Sequence, residues 1–170
     1  MSCTTLTSIT KSCSNNQGGI FAVYINDTDN VTAIGVSAST HTITGVTASP
    51  DFTTFDFNRN VGSVTVDPKI DLINGSTYFE AKMTLVFHRR EAAKSRALQI
   101  LGEGQRFLDI IFLDANGLYW YLDHAQLDGG AEESGTARAD GSKYTVTFMA
   151  QMSNRPYEVV SSIIPALITA

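Results

Sequence analysis

Charge is the scarcest commodity in this sequence. Asp, Glu, Lys and Arg make up 17% of the 170 residues, against about 25% in ordinary soluble domains. Much of the surface must therefore be Thr, Ser, Asn and Gly, which suits β-structure and repeated subunit contacts better than a freely diffusing helical enzyme. Positive charge is the scarcer sign: 12 Lys and Arg stand against 17 Asp and Glu, a net charge of −5. That argues against a surface that binds nucleic acid by neutralising phosphates. No apolar run approaches the ~20 residues of a membrane span. The C-terminal SSIIPALITA is apolar but short, and Pro165 interrupts it.

Cysteine is nearly absent. Only Cys3 and Cys13 occur, too few for a disulfide framework. The opening MSCTTLTSITKSCSNNQ has no continuous apolar core of the signal-peptide kind, so reduced thiols are expected. The triplets starting at Asn26, Asn30 and Asn74 then carry no weight as glycosylation sites. The three histidines, His41, His88 and His124, are far apart, lack metal-ligand spacing and have no cysteine pair beside them. Neither a G-x-S-x-G elbow nor a Walker loop appears. Nothing in the sequence points to an enzyme, and no residue stands out as catalytic, cofactor-binding or metal-ligating.

What is present is organised around residues 77–101, TYFEAKMTLVFHRREAAKSRALQIL. Phe79, Ala81, Met83, Leu85 and Phe87 alternate with Tyr78, Glu80, Lys82, Thr84, Val86 and His88, the period of a strand with one buried face. From about residue 91 to 101 the pattern becomes helical. Ala93, Ala97, Ile100 and Leu101 share one face among strong helix formers, and Gly102 is placed to cap the last turn. Residues 144–151 repeat the alternation, with Tyr144, Val146, Phe148 and Ala150 inward.

At this length one domain is expected, spanning 1–170. Residues 1–17 are polar and expected to be a flexible N-terminal segment. Short Val-, Ile- and Thr-rich strands come next, at 20–25, 31–36 and 41–47. Residues 52–58 place Phe55 and Phe57 on one face. Pro68 lacks a ladder donor, so its strand should be an edge or broken there. Asn74-Gly75 and Asn116-Gly117 read as tight hairpin turns. Residues 107–113 are a strongly apolar strand, and residues 128–143 a long loop or hairpin tip. The predicted fold is mainly β (α+β): an antiparallel β-sandwich or barrel with one flanking α-helix at about residues 91–101.

Some local chemistry can be weighed. Asp27-Thr28-Asp29-Asn30 resembles part of a calcium loop but lacks the central Gly and later Glu, and a turn explains it. The carboxylates between Asp109 and Glu133 could formally include a glycosidase pair, whose separation a sequence cannot report. Tyr119-Trp120-Tyr121 could stack on a sugar or base, but alternation sends Trp120 to the face opposite its neighbours. Charge is uneven as well. Residues 89–106 hold Arg89, Arg90, Lys94, Arg96 and Arg106 against Glu91 and Glu103, whereas residues 107–141 hold seven acidic residues against Arg138. Solvated surfaces of differing sign, or head-to-tail complementarity between subunits, both account for this.

Two stretches carry a family resemblance. GSKYTVTFMAQMSNRPYEVV (residues 141–160) resembles the late strand and short tail of bacteriophage tail tube proteins and their ring-forming relatives. CSNNQGGIFAVYINDTDNVTAI (residues 13–34) is similar to the start of tube-like proteins in phages of Bacteroidetes hosts, including crAss-like phages. Residues 77–101 fit that family's β-sandwich or barrel with its helix. The resemblance implies a virion structural protein, made in the host bacterial cytoplasm. Its copies would close into rings, most often of six, whose inner wall is a continuous β-barrel, and the rings would stack into a tube for genome passage. Its implied partners are copies of itself, other tail proteins and DNA that passes without specific binding; it implies no cofactor. Glu80, Lys82 and Thr84 would face the lumen or a neighbour. Arg89, Arg90, Lys94 and Arg96 would meet an acidic neighbour carrying Glu132, Glu133 and Asp140. Residues 48–60 and 128–143 are candidates for stacking or inter-subunit arms. A tail terminator or adaptor ring, and a carbohydrate-binding sandwich of a tail appendage using Tyr119 and Trp120, are the alternatives.

Overall fold

The computed structural model describes residues 7–168. Its strands are β1 (Ile20–Asp27), β2 (Val31–Ser37), β3 (Thr42–Ala48), β4 (Thr53–Phe55), β5 (Gly62–Asp71), β6 (Ser76–His88), β7 (Leu108–Asp114), β8 (Tyr119–Glu133), β9 (Lys143–Met152) and β10 (Tyr157–Val159). The helix α1 (Ala92–Gly102) lies between β6 and β7, and short 3-10 turns cover Thr28–Asn30, Glu103–Gln105 and Ser161–Ala166.

The strands form two layers joined by β8. One layer runs β2-β3-β10-β8-β7-β1-β4, and the other runs β8-β9-β6-β5. The first half of β8 pairs with β7 and β10, and residues 126–133 pair with β9. A register shift between Leu127 and Gly129 marks the corner. At Gly130, just past it, a Cβ would collide with the Thr145 carbonyl oxygen. Only glycine lets β9 come that close, which gives Gly130 its structural reason.

The main core lies between the layers. Val23, Ile25, Ile110 and Leu122 meet Met83, Leu85, Val146 and Phe148 there. A second core on the far side of the first layer gathers Tyr24, Ile43, Phe52, Ile111, Tyr121, Val159, Ile164 and Leu167. β7 is thus buried on both faces, so its centre, Ile110–Leu113, is a continuous apolar run instead of an alternation. In β6, Ala81, Met83, Leu85 and Phe87 are buried as the period of two requires. Phe79 is only half-buried, with the Arg155 guanidinium 5.0 Å from its ring centre.

The fold is mainly β with one helix flanking it, and four sequence expectations need correction. The sheet does not close into a barrel. Among the described residues β5 hydrogen-bonds only to β6, and no ladder joins it to β1 or β4. Side chains fill that opening: Phe55 and Phe57 stand edge-on to Phe87, with ring centres 6.4 and 6.3 Å away. The sheet is also mixed, because β10 pairs parallel with β3. The helix buries a different face from the one its alanines suggest. Leu101 is buried and Lys94, Ser95 and Leu98 half-buried, while Ala93, Ala97 and Ile100 are exposed. Polar anchoring decides this: the Ser95 and Tyr144 hydroxyls are 2.6 Å apart, and the Glu91 N–H donates to the Tyr144 oxygen. Finally, Gly102 ends the helix with right-handed φ (−90°), and the left-handed residue is Gly104 (φ 71°).

Pro68 lies on an edge strand, with pairing continuous from Gly62 to Asp71. Within residues 128–143, β8 continues to Glu133 and β9 begins at Lys143, so the β8–β9 hairpin tip is 134–142. Residues 7–17 are exposed; Gln17 and Asn16 are tied to the β7–β8 turn through Asn116. Cys13 is exposed, and Cys3 lies outside the described residues.

Candidate functional site

The four-stranded layer has an outward face that no other element covers among the described residues. In register across it stand Ser63, Thr65, Asp67 and Lys69 of β5, then Glu80, Lys82, Thr84 and Val86 of β6. Beside them on β9 are Thr145, Thr147, Met149 and Gln151, and Lys143 faces Glu133 of β8 at one end. None of these residues is buried. The fold therefore brings Glu80, Lys82 and Thr84 onto one exposed, threonine-rich wall. Its charges alternate in sign: Lys69 pairs with Glu80 at 3.5 Å and Lys143 with Glu133 at 3.1 Å. Lys82 makes no ion pair among the described residues, and Asp67 lies on the neighbouring strand. Three acidic and three basic side chains (Asp67, Glu80, Glu133; Lys69, Lys82, Lys143) leave this wall near neutral.

The same layer has two open borders. Among the described residues β5 pairs on one side only, and residues 126–133 of β8 pair only with β9. Unpaired strand edges are templates for another strand. Pro68 and charged Asp67 and Lys69 blunt the β5 edge against indiscriminate pairing, while leaving it uncovered.

A third exposed feature is the β5–β6 hairpin. Leu72 and Ile73 are 90% and 95% exposed at its tip. The turn that displays them is well built. Asp71 Oδ1 accepts from the Ile73 and Asn74 N–H groups at 2.9 and 3.1 Å, and Gly75 supplies the left-handed residue (φ 67°). Hydrogen bonds from the Asn74 side chain and then the backbone hold the Asp71 carboxyl below its usual range. Sequence reading finds this turn but misses its apolar tip; the run DLING, with two large apolar residues inside a turn signal, is the available clue.

The basic residues ahead of and within α1 find their counter-charges inside the chain. Arg90 pairs with Glu132 at 2.5 Å, Arg89 and Lys94 with Glu91 at 3.1 and 3.5 Å, and Arg96 with Glu103 at 3.5 Å. The Glu132 carboxylate raises the Arg90 pKa. Asp140 organises the β8–β9 tip, accepting from the Thr136 and Ala137 N–H groups at 2.9 and 2.7 Å, and those bonds lower its pKa. The charges expected to meet across subunits are thus largely used within one. Residues 48–60 are also committed: Phe52 is fully buried and β4 pairs with β1. That makes them a poor free arm.

The remaining sequence candidates resolve locally. Asp27 pairs with Arg106 at 3.1 Å, and the rest of that fragment is a 3-10 turn. Trp120 is half-buried with its indole N–H given to Asp114, so it offers no ring platform with Tyr119. The fold does bring together one group that spacing conceals. Potential ligand atoms of Asp109, Asp123 and His124 all lie within 4.8 Å of one another. Beside them the Tyr121 hydroxyl is buried without a hydrogen-bond partner. Burial, then the Asp109 carboxylate and then Asp123, push its pKa up. Among the described residues no helix is long and apolar enough to cross a membrane.

No family model matches the chain. No curated protein matches it either. Among solved structures, a chain from the virion of a native gene transfer agent particle is similar at a TM-score of 0.43 and 7% identity, covering 78% of this chain and 97% of that one. A chain from the 6-fold symmetrised baseplate of the anti-feeding prophage is similar at a TM-score of 0.44 and 12% identity, covering 83% of this chain and 97% of that one.

Proposed function

We propose that this chain is a non-enzymatic structural protein of a bacteriophage tail. Its copies close into rings, of six subunits in the family it resembles, and the rings stack into a tube or connector for genome passage. The observation that carries the reading is the four-stranded layer with a polar, near-neutral face left bare and both borders unpaired. The strands run alternately, β5 up, β6 down, β9 up and β8 down. Setting β5 of one copy beside residues 126–133 of the next keeps that alternation, so an antiparallel ladder can continue through any number of copies. Closure removes both edges at once, and a head-to-tail contact of this kind closes a ring when its rotation allows.

The bare face then becomes the inner wall. A wall of threonines with charges of alternating sign holds phosphates poorly, because it offers no cluster of uncompensated cations for counterion release. Genome passage needs such indifference. The partners are copies of the same chain and adjoining tail proteins, and the protein's place is in the virion.

Zero-length carbodiimide crosslinking tests the junction. Within one chain Lys69 on β5 is separated from the β8 border by three strand spacings, about 14 Å, too far for such a link. Links from Lys69 to Asp128 or Glu133 are therefore expected only between copies, alongside the internal Lys69–Glu80 and Lys143–Glu133 controls. Internal links alone, on protein at assembly concentration, would contradict the proposed junction.

A further inference from the structure

The β7–β8 ladder carries a bulge whose consequence is chemical. Leu108 faces Ala125 and Ile110 faces Leu122, so Asp109 alone opposes both Asp123 and His124. Bulges re-aim side chains in this way. His124 takes up the extra residue at φ 50°, and its ring Nδ1 contacts Asp123 Oδ1. Asp109 is 1% exposed. Its Oδ1 accepts from the Thr28 hydroxyl at 2.9 Å and from the His124 N–H at 3.2 Å. No ion pair from Lys or Arg reaches it among the described residues. Buried charges are normally paired or bound to a metal, so Asp109 lacks a cation that its surroundings call for.

A second, independent feature points the same way. Tyr121 is 3% exposed, and its hydroxyl faces the Asp109 carboxylate without completing a hydrogen bond to it. An unpaired buried hydroxyl is costly. Beside a metal centre it becomes an outer donor to a ligating carboxylate or a bound water, a role such groups commonly fill. Two carboxylates and an imidazole are a mixed oxygen–nitrogen donor set. Imidazole favours zinc and its neighbours over calcium or magnesium, which prefer oxygen alone.

We propose that Asp109, Asp123 and His124 bind one divalent ion of the zinc class, fastening the β8 bulge to the turn at Thr28. This site is independent of the ring reading and stands or falls separately. Asp123 and His124 are 51% and 54% exposed on their side chains, so an ion can enter from solvent and both can be substituted without opening the core.

The test uses the full chain, stripped with chelator and titrated with zinc chloride by calorimetry, beside Asp123→Asn, His124→Gln and the double variant. One zinc per chain is expected, with affinity at least about tenfold weaker in each single variant. At a hundredfold excess over Kd, the melting temperature of the native sequence should rise by about 5–10 °C, and that of the double variant should not. Circular dichroism checks that the variants are folded; should the double variant fail, His124→Gln alone gives the reading. No zinc binding, or binding undiminished in His124→Gln, overturns the site, the latter placing the ion elsewhere. Magnesium binding as strong as zinc overturns the assigned class.

Discussion

Phe148 is 1% exposed and stands opposite Met83 in the β6–β9 ladder, at the centre of the main core. Replacing it with alanine removes most of a buried ring and leaves a cavity that the two layers cannot collapse around. Phe148→Ala should cost about 3–5 kcal/mol, read as a lower urea midpoint at unchanged slope. A loss under about 1 kcal/mol would show that the layers are not packed as described. This residue is legible in the sequence because a half-buried strand writes its core into every second position. Asp109 is not. Its partners lie fourteen and fifteen positions away, and they meet only because of a one-residue bulge that no local pattern announces. Tyr144 is half legible: alternation places its ring in the core, but nothing in the sequence tells that its hydroxyl anchors α1.

Among elements, β8 shows most clearly what pattern reading can and cannot reach. Its fifteen residues serve two layers, and a strand that changes sheet changes which neighbours bury it. Periodicity alone therefore ends the strand near residue 127 and assigns residues 128–143 to a long loop or hairpin tip. The helix is visible in the sequence, yet its buried face is not. Ala93 and Ala97 are too small to determine a burial direction, and Ser95 bonded to Tyr144 overrides them. The β5–β6 hairpin is placed correctly by Asn74-Gly75. Its tip gives a prediction at this scale. Leu72→Ser with Ile73→Ser removes two side chains that touch almost nothing in the monomer, so stability should stay within about 0.5 kcal/mol. If the tip is a contact between copies or rings, sedimentation velocity should show a shift toward smaller species. An unchanged distribution would remove the tip from the assembly surface.

Two features of the whole molecule are connected. Its sheet stays open, and the basic residues around α1 are matched by acidic residues of the same chain. Both bear on how copies would join. Internal ion pairs around α1 leave little electrostatic force for head-to-tail docking, and exposed pairs of this kind contribute only about 0–1 kcal/mol each. In the proposed ring the junction would then rest on backbone hydrogen bonds along the β5 and β8 borders and on apolar contacts such as Leu72 and Ile73. Such an interface should be only weakly sensitive to salt. The central claim is that the bare four-stranded layer is a wall segment awaiting its neighbours. Negative-stain electron microscopy of the purified protein across a concentration series tests it most directly. Closed rings of uniform diameter, or tubes of stacked rings, are the predicted result; particles that remain monomers at every concentration would contradict it.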